Sequence, residues 1–99
     1  MDQELTKAQR ERLDLLMISA ADVVQAVDRV LKHGPDSRPP KFPDWPTNKE
    51  RLEEELGFLG MSVALLVKFE DVSEKACEKF MDEKFKTIGL YTKYQESEE

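Results

Sequence analysis

Apolar residues recur every three or four positions in the first third of the chain, and this spacing predicts an amphipathic helix over residues 3–33. A second face, which includes Ile18, Ser19 and Asp22, is only half polar, so it can meet a partner or line a site. Gly34, followed by a proline, predicts the end of the helix. The apolar stripe consists of Leu13, Leu16, Met17, Ala20, Val23, Val24, Val27, Val30 and Leu31.

A second long helix is predicted over residues 47–68, and its polarity changes halfway along. Thr47 and Glu50 have the spacing of a capping box, and acids crowd the first turns, where the helix dipole favours negative charge. The second half carries no charge before its last residue, which predicts that it enters a core. Gly57 and Gly60 each cost roughly 1 kcal/mol in a helix interior, so we expect another helix to approach closely there.

The segment between these helices, residues 34–46, contains all five prolines of the chain and is predicted to be a loop. Phe42 and Trp45 are its large apolar side chains. They fasten the loop to the helices, or Trp45 offers its ring to a base or a partner. Arg38 and Lys41 are candidate phosphate contacts, although solvated loop charges have the same pattern.

A shorter third helix is predicted over residues 72–88, capped by Asp71 or Ser73 and ended by Gly89. Residues 89–99 end in acids and are expected to fray. Because no segment alternates like a strand, the predicted fold class is all-α. We expect one domain, residues 1–99, built as a bundle of two long helices and a shorter third. Three residues of the tail can still pack back onto the helices, namely Leu90, Tyr91 and Tyr94.

Length and charge narrow the classes of function. A chain of 99 residues buries only a modest core, so we expect dimerisation to complete the bundle. The net charge of −6 argues against nucleic acid as a partner, and no apolar run is long enough to span a membrane. The polar N-terminus does not resemble a signal peptide, and the single cysteine, Cys77, suits a reducing compartment. We therefore expect a cytoplasmic protein, with Cys77 buried in a helix.

The residues alone offer few candidates for chemistry. The only histidine, His33, lies at a helix end, where a cation suits the dipole, and no zinc-ligand spacing is present. Helical bundles build metal sites from inward-facing acids on neighbouring helices, and Mg²⁺ prefers carboxylate and phosphate oxygens. Asp22, Glu54 and Glu55 are the acids placed for such a site. Acids at such positions are more often ordinary surface residues.

Three stretches of the sequence resemble one known family. They read ADVVQAVDRVLKHGPDS, PTNKERLEEELG and DEKFKTIGLYTKYQ, and they extend over nearly the whole chain. They resemble the MazG-like, all-α NTP pyrophosphohydrolases, especially the short stand-alone forms, many of which are phage-encoded. The resemblance implies a homodimer or a dimer of dimers, and it favours a viral origin and the host cytoplasm. It also implies Mg²⁺-dependent hydrolysis of a nucleoside triphosphate to the monophosphate and pyrophosphate.

Carried over position by position, the acidic site of the family is incomplete in this sequence. The two adjacent glutamates of the first helix correspond to Ile18 and Ser19, and a third acid is present in shortened form as Asp22. On the central helix the glutamate is present as Glu55, but its aspartate partner is replaced by Phe58. Two acids are few for Mg²⁺ bound to a triphosphate.

The incomplete site raises the question of what balances the two remaining acids. Asp22 and Glu55 would repel each other without a metal, unless a cation such as Arg29 or Lys32 reaches them. We therefore expect the vacated metal site to be refilled.

We weigh three hypotheses. The first is a binding protein on a catalytically degraded MazG-like scaffold, with no catalytic residue and no cofactor. Its ligand is a nucleotide or a protein partner, bound through Ile18, Phe58, Trp45, Arg38 and Lys41. The second is an active Mg²⁺-dependent pyrophosphohydrolase with a rearranged site. The third is a purely structural helical oligomer. In the second hypothesis the metal ligands would be Asp22, Glu55 and Glu54, with Asp28 as a further acid.

Overall fold

The computed structural model describes residues 4–95, which form three α-helices and a short 3₁₀ turn, with no strand in that range. Helix α1 is Lys7–His33, α2 is Asn48–Lys68, and α3 is Glu74–Lys86. The 3₁₀ turn is Ile88–Leu90. The predicted all-α class, with two long helices and a shorter third, is confirmed. The predicted start of the first helix at residue 3 and the last four residues of the tail lie outside the described part of the chain.

Local capping decides where the first helix begins. The Thr6 hydroxyl accepts a hydrogen bond from the Gln9 backbone N–H at 3.0 Å, and the Gln9 side chain accepts one from the Thr6 N–H at 2.8 Å. This reciprocal pair satisfies two backbone donors that a helix start leaves open, so α1 begins at Lys7, later than predicted. Gly34 ends α1 as predicted, with a φ of +85° that suits glycine.

The predicted capping box of the second helix is confirmed. The Thr47 hydroxyl accepts from the Glu50 N–H at 3.1 Å, and the Glu50 carboxylate accepts from the Thr47 N–H at 2.9 Å, which lowers the pKa of Glu50. Ser73 is the cap of α3. That helix ends at Thr87 rather than Gly89, which lies inside the 3₁₀ turn.

Helices α1 and α2 form an antiparallel hairpin with a narrow seam of mostly small side chains. Ser19 and Ser62 are fully buried, and Ala26 and Leu66 are the buried apolar residues of the described chain. The Ser62 hydroxyl lies 3.0 Å from the Phe58 carbonyl oxygen of its own helix and 3.4 Å from the Leu15 carbonyl oxygen of α1. Small side chains let the two backbones approach, and each buried hydroxyl keeps a carbonyl partner.

A different face of α1 carries a second apolar stripe, which is exposed to solvent. Its steps of four and three residues are those of a helix that packs against another helix. We call it the outer stripe of α1, and it consists of Leu13, Met17, Ala20, Val24, Val27 and Leu31. On α2, Gly57 and Gly60 are also exposed, and no neighbouring atom of the described chain lies within 4 Å of a Cβ built on either. The expected close approach at these glycines is therefore not made within this chain, because the seam lies on another face.

The corner between α2 and α3 is tied to the start of α1. Glu70 has a left-handed backbone (φ +61°), and its N–H donates to the Val67 carbonyl while that of Asp71 donates to the Leu66 carbonyl at 2.8 Å. The Arg12 guanidinium makes a two-point ion pair with the Asp71 carboxylate, and both side chains are largely buried. The direction in which α3 leaves the hairpin is thus held by side-chain and backbone bonds.

Helix α3 contacts the 3₁₀ turn that follows it but makes no extensive contact with either long helix in the part of the chain described here. All its residues keep solvent access, and Cys77, which was expected to be buried, is exposed. In the tail, the Tyr91 hydroxyl accepts a hydrogen bond from Lys84 Nζ of α3 at 3.3 Å, but residues 89–95 include no buried side chain. Leu90, Tyr91 and Tyr94 are each more than 60% exposed. These expectations were wrong because α3 points away from the hairpin that would have covered them.

The dimensions of the chain reflect this open arrangement. Its accessible surface is 8742 Å², whereas a compact monomer of this mass exposes about 5,800 Å². Its radius of gyration is 17.3 Å, against about 13 Å for a compact domain of 100 residues. Within residues 4–95, no helix is both long enough and apolar enough to cross a membrane.

The first prediction concerns the seam between α1 and α2. Replacing Ala26 by leucine adds volume where the helices are in contact, so Ala26→Leu should lower the free energy of unfolding in urea by about 1–3 kcal/mol. Ala21→Leu makes the same change on the same helix at an exposed position, and it should stay within about 0.5 kcal/mol of the wild type. Equal losses of unfolding free energy in both variants would show that Ala26 is not packed between α1 and α2.

The second prediction concerns pH. The hydrogen bonds from Arg12 lower the pKa of Asp71 in the folded state. A lowered carboxylate pKa stabilises the fold above the unfolded value of about 3.9, and this stabilisation is lost as the pH falls through the folded value. At neutral pH the wild type should therefore have a higher urea midpoint of unfolding than Asp71→Asn. The difference between the two midpoints should narrow below about pH 3.9. Asp82→Asn, on the exposed part of α3, is the control. A gap independent of pH would be the contrary result.

Candidate functional site

Asp22 of α1 and Glu55 of α2, the two acids that the resemblance implies, line one shallow pocket on the hairpin. The pocket has a volume of about 240 Å³, and both acids are half-buried. We call it the acidic pocket, after Asp22 and Glu55. The hairpin brings them together because α1 and α2 run antiparallel and the two residues face each other across the seam. Gln25 and the buried Ala26 complete the floor on the α1 side.

Two arginines line the same pocket and set its electrostatics. Arg29 lies two turns after Asp22 on α1, and Arg51 lies one turn before Glu55 on α2. The pocket therefore holds two carboxylates and two guanidinium groups, so its formal charge is balanced. The sequence suggested Arg29 as a cation for this position but missed Arg51. The four-residue step from Arg51 to Glu55 was the available signal, because side chains at that spacing share a helix face.

A second pocket adjoins the first and extends it toward the proline-rich loop. It has a volume of about 310 Å³ and shares Arg29 and Arg51 with the acidic pocket. Trp45, which is about half exposed, contributes an aromatic wall. The Trp45 and Phe42 rings stack with centroids 4.3 Å apart and planes 14° apart. The two rings thus pack on each other rather than being buried against the helices, and one face of Trp45 is already covered.

Polar contacts from Arg38 and Asn48 hold the loop against the start of α2. Arg38 Nε donates to the Trp45 carbonyl at 2.9 Å, and its Nη2 lies 3.8 Å from a Glu50 carboxylate oxygen. Asn48 Nδ2 donates to the Gly34 carbonyl at 3.1 Å, and the Asn48 N–H donates to the Ser37 carbonyl at 2.9 Å. Arg38 is therefore engaged in fixing the loop. It also lines a third pocket, with Arg29 and His33.

Other candidate residues lie apart from this site. Lys41 is exposed and belongs to none of the three pockets just described. Glu54 is exposed and faces away from the pocket that holds Glu55. Asp28 is exposed and forms an ion pair with Lys32, 2.9 Å away on the next turn. Within residues 4–95, no group of three or more acidic, histidine or cysteine side chains is arranged to hold a metal ion.

The positions where the resemblance places further acids have different environments. Ile18 is about half exposed, one turn before Asp22, and Phe58 is half-buried, one turn after Glu55. Ser19 is fully buried in the seam, and its hydroxyl donates to the Leu16 carbonyl at 3.0 Å. Apolar side chains thus flank the acidic pocket along the hairpin, and the Ser19 position serves helix packing.

This arrangement is suited to binding an anionic group beside an aromatic surface. The guanidinium groups of the two arginines can donate to phosphate oxygens in a bidentate geometry. Comparison of the chain with protein-family models, with curated proteins and with solved structures gave no match in any of the three.

Proposed function

We propose that the protein acts by binding a nucleotide, without hydrolysing it, on a MazG-like helical scaffold whose metal site has been lost. The observation that carries the proposal is the presence of Arg29 and Arg51 in the same pocket as Asp22 and Glu55. Their positive charges offset the carboxylates, so the acids need no divalent cation to coexist. A balanced pocket is a poor place for Mg²⁺, which depends on uncompensated anionic ligands.

The neighbouring walls support a nucleotide as the ligand class. Arg29 and Arg51 link the acidic pocket to the one lined by Trp45, so phosphate-binding groups and an aromatic surface are adjacent. Aromatic rings stack on bases of any sequence, and arginine binds phosphate in a fixed two-point geometry. In this arrangement the phosphates lie on the arginines and the base lies toward the loop.

A protein partner is the second candidate ligand, and one observation favours it. Ile18 is exposed and Phe58 only half-buried, each one turn from the acidic pocket. Exposed apolar side chains rimmed by charged ones are typical of protein interfaces. Ile18 and Phe58 lie at the end of the pocket away from Arg29 and Arg51, so a protein bound there would sit beside the nucleotide position.

We further propose that the protein is a homodimer. The chain exposes 8742 Å², about 2,900 Å² more than a compact monomer of its mass. A stable, obligate dimer buries about 2,000–5,000 Å² in total. Two copies together carry an excess of about 5,900 Å², so an interface of this class would cover a large part of it.

The test is calorimetric titration of a non-hydrolysable dNTP analogue into the protein, with and without Mg²⁺. We expect binding that persists without Mg²⁺ and is weakened about 10- to 100-fold in Arg51→Gln, which removes charged hydrogen bonds to phosphate. Lys49→Gln removes one positive charge two residues away, outside the three pockets described above, and should bind as the wild type does.

The contrary results are equally defined. Release of pyrophosphate from any nucleoside triphosphate, abolished in Glu55→Gln, would establish an enzyme with a rearranged site. Equal nucleotide affinity of the wild type and Arg51→Gln would show that the nucleotide does not bind in this pocket. If no nucleotide gives a binding signal with the wild type, nucleotide binding is wrong and a protein partner becomes the candidate ligand.

A further inference from the structure

Helix α3 has an apolar face that its own chain leaves uncovered. Phe80 and Phe85 are each more than half exposed, and Met81 is 53% exposed. At helical spacing they lie on one side of α3, and the opposite side is polar. A helix of 13 residues is marginal in water without a packing surface. The stability of α3 therefore requires a surface that α1 and α2 of the same chain do not provide.

The corner before α3 explains why its own hairpin is not that surface. Only Phe69–Ser73 separate α2 from α3, and the ion pair between Arg12 and Asp71 fixes this short segment to α1. Backbone bonds from Glu70 and Asp71 back to α2 hold the same turn. Folding α3 back onto its own hairpin would break this corner, whereas leaving it as it is directs α3 outward.

The outer stripe of α1 is the complementary uncovered surface. It extends from Leu13 to Leu31 in steps of four and three residues, so it presents the ridge-and-groove pattern that a second helix fills. Val24 and Leu31 are 68% and 80% exposed. Lys84 lies within the apolar side of α3, and Asp14 flanks the outer stripe.

We infer that α3 of each chain packs on the outer stripe of α1 in a second copy, so that the dimer is held by two exchanged arms. The inference rests on the proposed homodimer and specifies its contacts. A two-fold axis makes the exchange reciprocal, since the arm of each copy covers the other. The arm and the stripe are each too exposed to be stable alone, and each supplies what the other lacks.

Complementation between two variants tests the exchange. Phe80→Asp damages the arm, and Val24→Asp damages the stripe, so each homodimer has two damaged contacts. We expect each variant alone to dissociate on the order of 100-fold more readily than the wild type in sedimentation velocity at micromolar concentration. Mixed together, they should recover a dimer, because the intact arm of one chain meets the intact stripe of the other. Lys79→Asp, on the polar side of α3, should sediment as the wild type does.

Each other outcome has a distinct meaning. A mixture that stays monomeric would overturn the exchange, because an intact arm and an intact stripe would then fail to pair between two chains. If Phe80→Asp dimerises like the wild type, α3 takes no part and the exchange is wrong, while the homodimer stands. A monomeric wild type would overturn the homodimer itself but leave nucleotide binding untouched. If Val24→Asp loses helical circular dichroism, Leu31→Asp at the end of the stripe replaces it.

Discussion

The close contact between α1 and α2 is the interaction on which the rest of the structure depends. Ser19 and Ser62 lie at its centre and Ala26 and Leu66 beyond them, and only half-buried leucines and valines flank these four residues. A seam of this kind sets distance and register well but buries little apolar area, so it contributes less stability than a core of large side chains. The acidic pocket inherits its geometry from this contact, since Asp22 and Glu55 face each other only when the helices are close.

How much of the fold was readable from the sequence depended on whether the signal was local. The Thr47–Glu50 capping box, the stop at Gly34 and the proline-rich loop were predicted correctly because each depends on a few neighbouring residues. The apolar residues of α1 were also found, but they form two stripes. Spacing alone does not tell which stripe faces α2, and the most buried residues of the seam are serines, which a hydrophobic pattern passes over.

The same limit applies to the site. Asp22 and Glu55 were chosen from the sequence and lie in one pocket, and Arg29 was expected near them, as the structure has it. Arg51 was missed because its role depends on the register between two helices. The place of α3 was also beyond local pattern, since it follows from a corner held by residues 59 positions apart, Arg12 and Asp71. Contacts between residues far apart in the sequence therefore determine features that hydrophobic periodicity does not predict.

Under the proposed function, the charge balance of the pocket illustrates how a metal site could be converted without a change of fold. Removing acids from a divalent-cation site leaves the remaining carboxylates uncompensated, and a guanidinium within reach restores neutrality at no cost in backbone geometry. Arg29 and Arg51 project from the same helices that carry the acids. The hairpin can thus keep its seam and its loop while the contents of the pocket change from metal chemistry to anion recognition.

The placement of the aromatic residues has a practical consequence for spectroscopy. The single tryptophan, Trp45, lies in the loop beside Arg29 and Arg51 and is stacked on Phe42, whereas both tyrosines, Tyr91 and Tyr94, follow α3. Fluorescence excited in the indole band therefore reports on the loop and pocket alone, while tyrosine absorbance reports on the far end of the chain. The tryptophan and tyrosine signals therefore originate in two separate parts of the chain, and neither part needs an attached dye.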